Sequence, residues 1–113
     1  MGDSLGQRPL GDIERVLFRV FVNCRLSKHP RELYEEYAFT YAQLAHIAGC
    51  SVPAMTRWMN MDKSPSSLKA VYLRRLGEFD FLLHHYDQIP VELWDLTCPL
   101  PPRIRAVLYP DRD

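Results

Sequence analysis

The chain has 113 residues, 47% of them apolar and 25% charged, which suits one globular domain that builds its own core without disulfide or metal staples. Lysine and arginine equal aspartate and glutamate at 14 each, so attachment to nucleic acid or membrane by bulk net charge is excluded. No apolar run reaches the roughly 18 residues that a membrane-spanning helix needs.

Residues 1–11 hold three glycines and a proline and are expected to form a flexible arm. From Asp12, a plausible helix cap by residue type, Ile13, Val16, Leu17, Val20, Phe21 and Cys24 recur at helical spacing. Arg15, Arg19 and Arg25 fall largely off that stripe, and the spacing predicts a helix over 12–26. Next, Pro30 suits a first helical turn, Glu32, Glu35 and Glu36 favour the positive end of the dipole, and a short helix over 30–37 follows.

Thr40 and Gln43 stand three residues apart, the spacing of a capping box, with Phe39 before the cap and Leu44 after it as a hydrophobic staple. A third helix therefore starts at Tyr41, and Gly49, tolerant of left-handed backbone, ends it. Ser51 caps a fourth helix reaching about Asn60, with Pro53 tolerable in its first turn. Ser64-Pro65 is another start signal, and the pattern from Leu68 to Tyr86 predicts a long helix over 65–87 with Gly77 as a weak point. After Pro90 the tail alternates prolines with apolar residues, and one short helix is expected over 103–108. The aromatic residues, including Tyr34, Tyr37, Tyr72, Phe79 and Trp94, are expected in the core. The resulting fold class is all-α, a compact helical domain of five main helices and a short sixth, with a Pro-rich C-terminal tail.

Charge is unevenly spread. Residues 15–31 carry Arg15, Arg19, Arg25, Lys28 and Arg31 with no acid, whereas 78–113 has seven acids against three arginines. Such asymmetry can place a basic face opposite an acidic one. Cys24, Cys50 and Cys98 are odd in number and widely spaced, which argues for a reducing compartment and against a zinc site. The N-terminus lacks the apolar stretch of a secretory signal, so a cytoplasmic location is expected. His84 and His85 are adjacent and diverge by about 100° on a helix, so they cannot chelate one metal. No acid–base pair or nucleophile motif appears, and neither an enzyme nor a cofactor is expected.

The short connection Gly49-Cys50-Ser51 turns the chain sharply between two helices. Ala45 is small where they cross, and Leu44, Ala48, Cys50, Met55 and Trp58 are apolar where the pair must face a core. That run, TYAQLAHIAGCSVPAMTRWM, resembles the helix-turn-helix of the Cro and phage-repressor superfamily. The resemblance covers about twenty residues and implies a DNA-binding domain over 12–89 between the arm 1–11 and the tail 90–113. It implies that Ser51, Val52, Ala54, Thr56 and Arg57 face base edges in the major groove. Gln43, Asn60 and Lys63 would then be phosphate or positioning contacts. Here Ala42 stands where that family commonly has glutamine, and Pro53 removes one backbone donor from the helix end.

The expected function is a sequence-specific transcriptional regulator of repressor type that binds double-stranded DNA. Because one short helix buries little surface, a homodimer is expected, with the apolar tail as its interface or packed on the domain. The alternative is a helix-turn-helix adaptor that binds a protein of the transcription or recombination machinery, its acidic C-terminal third supplying the contact.

Overall fold

The computed structural model describes residues 7–60 and 69–110, and these form helices and turns with no strand among them. In order they are α1 (Asp12–Asn23), α2 (Pro30–Glu36), α3 (Tyr41–Ala48), α4 (Val52–Met59), α5 (Ala70–His85), α6 (Val91–Leu96) and α7 (Pro102–Leu108). A 3-10 turn, Tyr86–Gln88, closes α5. None of these helices is long and apolar enough to cross a membrane.

Local chemistry accounts for most boundaries. The capping box is formed as expected: Thr40 Oγ1 accepts from the Gln43 N–H at 3.0 Å, and Gln43 Oε1 accepts from the Thr40 N–H at 2.9 Å. Ser51 Oγ accepts from the Ala54 N–H at 3.2 Å and caps α4. At α1 the expected cap is displaced by one residue. Glu14 Oε1 accepts from the Gly11 N–H at 2.9 Å, and the Gly11 carbonyl takes the first helical bond from Arg15 at 3.1 Å. Asp12 is thus the first helical residue, where its carboxylate still faces the positive dipole end. The helix also stops at Asn23, short of residue 26, because Cys24 adopts extended backbone. Asn23 Nδ2 donates to the Arg19 carbonyl at 2.9 Å.

The long helix begins at Ala70, and the expected start at Ser64-Pro65 lies outside the described residues. The tail holds α6 in addition to the short helix foreseen there; at six residues α6 is too brief for a periodic pattern to announce it.

The core draws on α2 to α5. Leu33, Leu44, Ala45, Ala48, Met55, Trp58, Met59 and Leu76 form one buried cluster. Burial of each large side chain contributes about 1.5–3 kcal/mol, which outweighs the weak intrinsic stability of helices as short as α3 and α4. Helix α3 packs against both α4 and α5. Tyr72 and Phe79 are partly buried, as is Trp94, but Tyr34 and Tyr37 are exposed at the rim. Their rings instead pair with Tyr41 at 5.3 Å and Phe39 at 5.8 Å.

Gly77 is not a weak point but a place of close approach. It is buried, and a Cβ built there would lie 2.7 Å from the backbone nitrogen of Ser27. One turn earlier the Leu73 carbonyl accepts from the Lys28 N–H at 3.0 Å, so the loop before α2 lies directly on α5.

The tail folds back on the end of α5. Tyr109, 5% exposed, accepts a 2.8 Å bond from Trp94 Nε1 and shares its own proton between the Tyr86 and Ile89 carbonyls at 3.0 and 2.9 Å. Helix α1 behaves differently. None of its residues is buried. The Cα radius of gyration, 18.3 Å, accordingly exceeds the about 13 Å of a closely packed chain this long.

Candidate functional site

The segment from Thr40 to Asn60 forms two eight-residue helices joined by Gly49, Cys50 and Ser51. Gly49 sits at φ 85°, ψ 29°, the left-handed conformation that permits so abrupt a turn. Its N–H and that of Cys50 both bond the Ala45 carbonyl, at 2.8 and 3.0 Å. Inside the corner Leu44, Ala45, Ala48, Met55 and Trp58 are all buried, as the apolar pattern requires, and Cys50 packs beside them half-buried. Burial raises the Cys50 thiol above its ordinary range, so it stays neutral at the turn.

With Met55, Trp58 and Met59 buried, the opposite side of α4 is free. Successive helical residues are about 100° apart, so Pro53 and Arg57 share that free face one turn apart, flanked by Val52 and Thr56. Val52, Pro53, Arg57 and Asn60 are exposed. Arg57 forms no ion pair with any described residue, which leaves its whole guanidinium fork available. Thr56 is half-buried and donates its hydroxyl to the Val52 carbonyl at 2.9 Å. Ala54 is half-buried and packs against the core, so with Thr56 it is less accessible than Ser51, Val52 and Arg57. Lys63 lies outside the described residues.

At the head of α4 few backbone donors remain. Pro53 has none, and the Ala54 and Met55 N–H groups are taken by Ser51 Oγ and the Ser51 carbonyl. Val52 keeps the one N–H of this turn with no partner among the described residues. Gln43, exposed at the start of α3, uses its carbonyl oxygen in the capping box, and its amide nitrogen has no partner among the described residues. A shallow hollow of about 310 Å³, lined by Ala42, Ala45, His46, Gly49, Cys50 and Val52, separates the outer edges of α3 and α4.

Three of the five cations of the basic run 15–31 have partners within the chain. Lys28 pairs with Glu36 at 3.0 Å and Asp80 at 3.5 Å, and the bond to Glu36 holds its ammonium above the ordinary value. Arg31 donates to the Met59 carbonyl at 2.9 Å and anchors the end of α4 to α2. Arg15 lies 3.7 Å from Asp12. Two of the cations thus hold the body together, a use that charge counting along the chain cannot reveal. Pro53 joins Arg57 on the outward face, a placement that its four-residue spacing from Arg57 makes legible in the sequence.

Comparison with protein-family models, with curated proteins and with solved structures returns no match for this chain.

Proposed function

We propose that the chain is a sequence-specific DNA-binding protein of helix-turn-helix type, a transcriptional regulator that lays α4 in the major groove. The observation that carries the reading is the division of α4. One side is anchored in the core through Met55, Trp58 and Met59, while Arg57 stands exposed and unpaired among the described residues on the other. An arginine so placed can bond guanine O6 and N7 bidentately. Val52 and Pro53 offer apolar contact to a thymine methyl at the leading end. Ser51, the Val52 N–H, the Gln43 amide and Asn60 are positioned as polar and phosphate contacts at the two ends of the motif.

The site has few cations, so one copy binds weakly, and two copies on neighbouring half-sites supply the affinity. Anisotropy of labelled duplex DNA at rising salt tests this. The logarithm of the affinity should fall linearly with the logarithm of salt, by about 0.9 for each phosphate neutralised. Absence of binding at low salt, or an affinity indifferent to salt, contradicts the proposal.

The second reading, a protein-binding adaptor, is favoured by Leu96 and Val107, 80% and 73% exposed on α6 and α7. Binding of a protein partner that persists in high salt and is lost in Leu96→Asp, with no affinity for DNA, would support it instead.

A further inference from the structure

Helix α1 is an amphipathic helix whose apolar side stays exposed. Ile13, Val16, Leu17, Phe18, Val20, Phe21 and Val22 are between 54% and 70% exposed. Arg74 ties it to the body: its Nη1 donates to the Phe21 carbonyl at 3.1 Å and its guanidinium lies 4.4 Å from the Phe21 ring centre. A helix of twelve residues is marginal in water unless an apolar face is packed. This one therefore requires a covering surface.

We propose that the cover is α1 of a second copy, packed antiparallel across a twofold axis. The area reaches the lower end of what a specific interface needs: Ile13, Val16, Leu17, Val20 and Phe21, which share one side of α1, expose on the order of 600 Å², against roughly 600–1,000 Å² given by each partner. The direction follows from charge. Asp12 and Glu14 occupy the first turn with Arg15 beside Asp12, Arg19 lies in the second half, and Arg25 follows the C-terminal end, so the start of α1 is net acidic and its end net basic. Antiparallel pairing sets the acidic turn of each helix beside the arginine end of the other and opposes the two dipoles. Parallel pairing would stack like charges. An isologous contact of this kind closes on itself and uses no residue of α4.

The interface is assigned to α1 rather than to the C-terminal tail, where Trp94 and Tyr109 bond within their own chain and the exposed Leu96 and Val107 stand on two separate short helices. The pairing supplies the two copies that the DNA reading calls for and rests on that reading only for its purpose; self-association is measured without DNA, so the two fail separately.

Sedimentation equilibrium of the full chain at tens of micromolar is the test. Wild type should sediment at twice the monomer mass. Leu17→Lys with Val20→Lys should weaken association at least about 100-fold, the scale of truncating interface hot spots. Because neither position is buried, the thermal midpoint of a dilute sample should stay unchanged and show that the body remains folded. Glu14→Arg and Arg25→Glu should each weaken the pair, and the double variant should regain much of the loss. A monomeric wild type, or a dimer that survives the two lysines, overturns the proposal.

Discussion

Arg75 Nε donates a 2.8 Å hydrogen bond to the Ile47 carbonyl, so a side chain of α5 closes the last turn of α3 two residues before Gly49 bends the chain. Turn and brace are coupled. A Cβ on Gly49 would sit 3.2 Å from Arg75 Nε, on a backbone whose φ of 85° already disfavours any side chain. Gly49→Ala should therefore cost about 1–2 kcal/mol from backbone conformation alone. Gly49→Asn should cost less, because asparagine visits the left-handed region more readily. Urea unfolding gives both values, and a Gly49→Ala variant as stable as wild type would contradict this account of the corner.

At Gly77 two principles disagree in sign. Helix propensity alone favours alanine over glycine by about 1 kcal/mol inside a helix. The Ser27 backbone 2.7 Å from the new Cβ demands that the loop shift, an overpacking cost of about 1–3 kcal/mol. We expect Gly77→Ala to destabilise the protein on thermal unfolding. A raised midpoint would mean that the loop moves aside freely.

Tyr109 brings together three elements through one hydroxyl, which accepts from Trp94 and donates toward the Tyr86 and Ile89 carbonyls. Tyr109→Phe leaves the Trp94 N–H and two carbonyls short of a partner, a loss of about 1–3 kcal/mol for buried groups. Tryptophan emission and the unfolding midpoint should change together. An unchanged spectrum with full stability would show that water replaces the hydroxyl without cost.

How much of this was readable from residue types differs between the motif and its surroundings. Caps and turns act over three or four residues, so Thr40, Gln43, Gly49 and Ser51 announced α3, α4 and the corner between them. The inward-facing residues of that corner followed from spacing alone. Long-range uses of a side chain were not legible. Nothing near Lys28 or Arg31 indicates that they bridge to α5 and to the end of α4. Gly77 looked like a defect because the loop that presses on it lies fifty residues away in sequence. The apolar stripe of α1 was visible, but periodicity reports that a helix has an apolar side and not whose surface covers it.

His29 gives the fold a dependence on pH. Its Nδ1 accepts the Arg31 N–H at 3.1 Å to cap α2, which requires the unprotonated ring. Burial, and after it the charge of Arg31, hold the imidazole below its ordinary value of 6.5. Since the folded-state value is the lower one, stability from this group is complete above pH 6.5 and declines as the pH falls below it. His29→Asn keeps an acceptor at the cap without the titration. Chemical denaturation across this range should show a shallower acid decline for that variant; identical profiles would remove His29 as the cause.

Selection of bound sequences from random duplex DNA, by wild type and by Arg57→Ala in parallel, bears on the function of α4 itself. The proposed reading predicts an enriched motif containing a guanine. Arg57→Ala should lose about 1–3 kcal/mol on that motif and relax the preference at one position while leaving the others intact. Recovery of no motif by the wild-type protein, or the same motif with undiminished affinity after Arg57→Ala, would show that α4 does not read bases.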